Sequence, residues 1–136
     1  MTESQKSRNE LEEMLIRLLQ KEYSLCGEIE DLTKELAEAM DRDDQVSIGM
    51  VLKMRGQTMA EVDKAVRERR LVLNAAGEGK ERLQKLTTGQ EVPDMTETEK
   101  RILRLFESRR LILERTAGLD RKISKRLAGE KSFYSK

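Results

Sequence analysis

The sequence has no histidine and a single cysteine, Cys26. The commonest general base and the commonest metal ligand are therefore missing. A disulfide cannot form within one chain, and nothing points to an oxidising compartment. The motifs GxxxxGK[ST], GxSxG and CxxC are also absent. Gly77-Glu78-Gly79-Lys80 resembles a phosphate loop only in part, because it lacks the preceding strand and the spacing. No apolar run approaches the roughly 18 residues that a membrane span needs. The first residues, Met1-Thr2-Glu3-Ser4-Gln5, lack the basic and apolar regions of a signal peptide. These absences lead to the expectation of a cytoplasmic, non-enzymatic protein with no cofactor and no metal.

Proline occurs once, at Pro93, and aromatic residues only four times, at Tyr23, Phe106, Phe133 and Tyr134. Little interrupts helix formation, and little supplies the volume of a compact globular core. Hydrophobic residues make up 37% of the chain and charged residues 39%. That balance suits a rod of helices, each burying one stripe. The leucines are periodic, which argues against disorder.

In the first segment, about residues 4–40, a seam runs through Leu11, Leu15, Leu18, Glu22, Leu25, Ile29, Leu32, Leu36 and Ala39. Its steps alternate four and three, the period of a helix packed along a partner. Met14 and Leu19 widen the stripe, and Glu22 alone breaks its apolar character. A rod of this length is on the order of 54 Å long. Asp41-Arg42-Asp43-Asp44 then reads as a tight turn, with Asp43 or Asp44 capping the next helix. Antiparallel register brings Ala39 opposite Ile48 and Glu22 near Arg69, making those two charges plausible partners. The bland alternative is that both snorkel off the seam edge.

The second segment continues the period through Ile48, Leu52, Arg55, Met59, Val62, Val66, Arg69, Leu73 and Ala76, and again at Lys80 and Leu83. Gly77 and Gly79 interrupt it, each at about 1 kcal/mol relative to alanine. The phase favours one long central helix over about 45–88, bent at the glycines and capped by Gly89. A break at 77–79 followed by a short helix is the alternative. After the loop containing Pro93, Thr96 and Glu99 form a capping box that opens a third helix over about 96–128. Its seam is Ile102, Leu105, Arg109, Ile112, Thr116, Leu119 and Ile123, broadened by Leu103, Phe106, Leu113 and Leu127. Residues 129–136 read as a flexible tail. The expected fold is all-α: residues 1–128 form an elongated antiparallel three-helix bundle or coiled coil around the second helix. Register then leaves the two ends of the rod only two helices thick.

The net charge of +1 hides an asymmetry. Residues 1–44 carry 6 basic against 13 acidic residues, residues 45–99 carry 9 and 9, and residues 100–136 carry 12 and 4. An acidic first helix lying beside a basic third helix accounts for this within one molecule. Binding of nucleic acid is disfavoured, because the third-helix cations lie around the helix with no stacking aromatics between them. Cys26 beside Leu25 reads as a partly buried, inert thiol.

Two surfaces stand out for protein partners. One is the spare apolar surface flanking the seams, with Met50, Met54, Leu103, Phe106 and Leu113 as the leading candidates. Flexible methionines suit a surface that must accept a helix. The other is the tail with Phe133 and Tyr134.

The stretch Leu-Leu-Gln-Lys-Glu-Tyr at Leu18 to Tyr23, the acidic turn at Asp41 to Asp44 and Val-Leu-Lys-Met-Arg at Val51 to Arg55 resemble the bacterial flagellar export chaperones of the FlgN type. The likeness extends in outline over most of the chain. It implies a cytosolic chaperone that holds a helical segment of a hook–filament junction protein and delivers it for secretion. The tail with Tyr134 would then be a candidate contact for the export gate. The alternative is a structural coiled-coil homodimer or adaptor, in which a second copy covers the spare apolar surface.

Overall fold

The computed structural model describes residues 2–134, excluding the side chains of Ser4 and of residues 130–134. The described residues form an all-α bundle with no strand. Helix α1 spans Glu3–Asp41, α2 Gln45–Asn74, α3 Lys80–Leu86 and α4 Glu97–Tyr134, and a 3-10 turn at Gly77–Gly79 precedes α3. None of these helices is long and apolar enough to cross a membrane.

The axle is α1, not the second helix. It packs along both α2 and α4. The reason is visible in its burial pattern. Adjacent residues are buried together at Leu15 and Ile16, Leu25 and Cys26, Ile29 and Glu30, and Leu32 and Thr33. These pairs form two stripes, one for each neighbour. The buried residues of α2 are fewer, namely Val51, Thr58, Ala65, Arg69 and Leu73. They form a single narrow line that suits one close partner. The α2 seam is also rotated from its expected phase, leaving Leu52 and Met59 exposed.

The register of α4 follows from its ion pairs. Arg115 meets Glu30 and Arg126 meets Asp41, each pair 85 residues apart in sequence. Helices α1 and α4 are therefore parallel, with α2 antiparallel to both. Ile123 packs with Leu36, Val51 and Ile48 near the α1–α2 turn. The turn end of the rod is thus three helices thick, in contrast to the expected two. At the far end all four helices meet, with Leu83 and Leu86 of α3 joining Leu15 and Leu19 of α1, Leu73 of α2 and Ile102 of α4.

The expected long second helix ends at Asn74. Gly77 takes φ +62°, a left-handed conformation that side chains disfavour. The chain leaves the line of α2 there, which allows Leu83 and Leu86 to enter the main core. A second left-handed glycine, Gly89 with φ +86°, ends α3. Gln90 N–H donates to Lys85 O at 2.8 Å and Gly89 N–H to Leu86 O at 3.3 Å, the Schellman pattern. Asp43, with φ 53°, makes the same kind of turn after α1, where Asp44 N–H donates to Ala39 O at 2.9 Å. Asp44 then caps α2 by accepting from Ser47 N–H at 3.1 Å.

Helix α4 opens with the expected capping box. Glu99 N–H donates to Thr96 Oγ1 at 3.1 Å, and Thr96 N–H donates to Glu99 Oε1 at 2.9 Å. The helix continues through Gly129 to Tyr134, where a flexible tail was expected from residue 129. Gly129 does not adopt the positive φ of a terminating glycine, and its interior penalty of about 1 kcal/mol is too small to stop a long helix.

Candidate helix-docking groove

Helices α2 and α4 both lean on α1 but barely approach each other, leaving the face between them open. Long side chains bridge the gap. Arg55 Nη1 donates to Asp120 Oδ1 at 2.6 Å and to Thr33 Oγ1 at 3.1 Å. Further along, the Arg69 guanidinium lies over the Phe106 ring, 6.0 Å from its centre. On the turn side of Arg55 the gap widens into a groove of about 460 Å³. Its apolar lining comprises Leu36, Met40, Ile48, Leu52, Ile123 and Leu127. Asp41, Asp43, Gln45 and Arg126 form the polar rim. Leu52 is 48% exposed and Leu127 44% exposed, so the groove presents uncovered leucine on both walls. An apolar floor with a charged rim is the surface on which an amphipathic helix docks.

The expected binding residues are dispersed by the fold. Met50 is 61% exposed and Met54 is also exposed, but both follow Val46 at four-residue steps outside the groove. Leu103 packs against the main core and Leu113 is half-buried. Phe106, expected on a free face, is only 8% exposed. Arg109 stacks over its ring at 4.6 Å, which fixes it as part of the interior. The side chains of Phe133 and Tyr134 lie outside the described residues. The groove residues Leu52, Ile48 and Ile123 read in the sequence as seam positions. Separating them from true core requires knowing that α2 and α4 do not close on each other.

Farther along the rod from the groove, the core contains a buried ionic layer. Glu22 is fully buried and accepts from Arg69 Nε at 2.8 Å and from Arg69 Nη2 at 3.3 Å. Arg109 Nε lies 3.6 Å from Glu22 Oε1 and has no hydrogen-bond partner. Burial lowers the Arg109 pKa from its ordinary value, opposed by the charge of Glu22. Cys26 is fully buried beside this layer, and burial pushes its thiol up. A raised thiol pKa makes the thiolate scarce and the group inert.

A second ionic cluster closes the opposite end. Glu99 is almost fully buried and is gripped by Arg82 through both carboxylate oxygens. Arg82 also donates to Pro93 O at 2.6 Å and Asp94 O at 3.1 Å, fastening the loop before α4. The hydrogen bond from Arg82 holds the Glu99 carboxyl below the usual range. Glu12, buried nearby, is pushed up by burial, with Glu99 adding to the shift and Arg8 opposing it. Sequence reading found the capping role of Glu99 but not Arg82, whose partner lies across a loop. Among the described residues, no group of His, Cys, Asp or Glu could hold a metal ion. No protein-family model, curated protein or solved structure matches this chain.

Proposed function

We propose that this protein is a non-enzymatic chaperone that holds an amphipathic helix of another protein in the groove between α2 and α4. The observation that carries this reading is the pair of uncovered leucines, Leu52 and Leu127, facing each other across an apolar floor. In an isolated monomer they leave apolar surface in water, and a docked helix would remove it. The resemblance of Leu18 to Tyr23 and Val51 to Arg55 to FlgN-type chaperones favours a specific client. That client is a helical segment of a flagellar hook–filament junction protein, held in the cytoplasm and passed to the export apparatus. Titration of the purified protein with a hook–filament junction protein, followed by calorimetry, tests this. Binding that Leu52→Asp abolishes is the expected result. The absence of binding to any flagellar axial protein would sink the export reading.

A second reading draws on Val46, Met50 and Leu71, which are exposed on α2 outside the groove. They would be covered in a structural homodimer or adaptor. Light scattering separates the two: a stable dimer that Met50→Asp dissociates favours the second reading.

A further inference from the structure

The two halves of α4 are attached by different interactions. In the first half, Glu99, Ile102, Phe106 and Ile112 are buried. Thr116 is the last buried residue of α4 among those described. Beyond it, Leu119, Asp120 and Ile123 are only partly covered. Helix α1 shows no such change, because Leu32, Leu36 and Ala39 opposite the second half remain buried. What joins the second half to the hairpin is the partly covered Ile123 together with ion pairs. Arg55 meets Asp120 at 2.6 Å and Arg126 meets Asp41, and Arg115 meets Glu30 at 2.9 Å just before the second half begins. The α4 member of each pair is well exposed, and such pairs hold weakly and are screened by salt. The second half therefore belongs to the least stable part of the fold.

The pairs also form a pattern. Glu30 and Asp41 stand about three helical turns apart on α1, as do Arg115 and Arg126 on α4. Between the arginines, Ile123 packs against the cluster of Leu32, Leu36 and Val51. We propose that the α1–α2 face beneath the second half of α4 is an exchangeable helix-docking surface. Its partner is an amphipathic helix of another protein with two cations about three turns apart and, between them, an acid for Arg55 and an apolar residue. The cations face Glu30 and Asp41, and the apolar residue replaces Ile123. In this mode the incoming helix takes the place of Leu127 as well as Ile123, so it goes beyond docking in the intact groove. This inference shares with the reading above only that the protein holds a helix, and needs no role in export.

The test uses the full chain and, as probe, a fluorescent peptide reproducing residues 111–128. In an Arg115→Glu/Arg126→Glu chain, the tethered helix competes less well for its own site. The peptide is expected to bind that chain about tenfold more tightly than the wild type. A peptide carrying the same two reversals is expected not to bind. Equal affinity for both peptides, or no binding to the altered chain, would overturn the proposal. A second measurement needs no variant. Raising salt to about 0.5 M should speed hydrogen exchange in residues 117–127 while residues 102–112 stay protected. Uniform protection along α4 would overturn it as well. Dimers with exchanged α4 and no peptide binding would assign the surface to a second copy instead. Peptide binding without capture of a junction protein removes the export reading alone. Capture without peptide binding removes this proposal alone.

Discussion

Glu22 on α1 and Arg69 on α2, 47 residues apart in sequence, close a two-pronged ion pair inside the bundle. Register arithmetic from a turn near residue 43 brings these two side chains opposite each other, and their pairing fixes the hairpin. A charged residue at a seam position tolerates only the register that supplies its partner. The pair also separates the core into two apolar clusters, one around Leu15 and Leu83 and one around Leu36 and Val51.

The Glu22 layer predicts unequal effects at its members. Glu22→Gln leaves Arg69 and Arg109 without their shared counter-charge and is expected to cost about 3 kcal/mol or more. Arg109→Met leaves Glu22 both hydrogen bonds from Arg69 and removes a 3.6 Å ion pair and the contact over the Phe106 ring, so it is expected to cost less, about 1–2 kcal/mol. Urea denaturation of the two variants checks the ranking. Equal losses would contradict the assignment of Arg69 as the principal partner.

Three glycines should respond differently to alanine. Gly77→Ala forces a side chain into a left-handed conformation, at about 1–2 kcal/mol. Gly89→Ala carries the same penalty, and because the carboxylate end of Glu107, 2.6 Å from the added Cβ, can swing aside, the two losses should be comparable. Gly129→Ala lies within α4 with open space around it and should raise helix stability by up to about 1 kcal/mol. Thermal melts order the three variants. A Gly129 variant that melts lower than wild type would mean that α4 does not extend through this position.

Groove substitutions should separate binding from folding. Leu52→Asp and Leu127→Asp replace exposed side chains and are expected to change stability by no more than about 0.5 kcal/mol. Both should abolish uptake of an amphipathic helix. Met54→Asp, outside the groove, should leave uptake intact. Calorimetric titration beside a denaturation curve reads both quantities. Loss of uptake in Met54→Asp alone would move the site to the outer side of α2.

Acid should loosen the ionic end of the bundle before neutral or alkaline conditions do. The folded pKa of Glu99 is lowered by Arg82 and that of Glu30 by Arg115. Their contributions are present above the ordinary carboxylate range and are lost as pH falls through the depressed folded values. Glu12 works in the opposite sense. Its folded pKa is raised by burial, so its ionisation costs stability as pH rises from the ordinary range through the folded value. Glu12→Gln should remove that cost and leave the acid limb steeper and simpler. Denaturation midpoints measured from acidic to neutral pH follow both effects. An acid limb unchanged by Glu99→Gln would contradict the role given to Arg82.

Much of the fold was legible because helices declare their period locally. The four-and-three spacing from Leu11 to Ala39, the Asp41–Asp44 turn and the Thr96–Glu99 capping box all correspond to observed features. The break at Gly77 was less legible. Seam phase persists across it at Lys80 and Leu83, and periodicity alone does not report a left-handed residue. Phe106 illustrates the same difficulty at the site. Its position beside a seam suits a free face or a core, and the two arginines flanking its ring decide for the core.

The sequence by itself determined the all-α architecture, the hairpin register and the acidic-against-basic pairing of first and last helices. Each is set by spacing or by charge along a single segment. Only the tertiary structure decided that α1 is the axle, because its two buried stripes acquire meaning when both neighbours are in place. It likewise decided that Leu52 and Leu127 form groove walls rather than seam. An apolar side chain in the right phase is core only if a third helix closes over it, and between α2 and α4 none does.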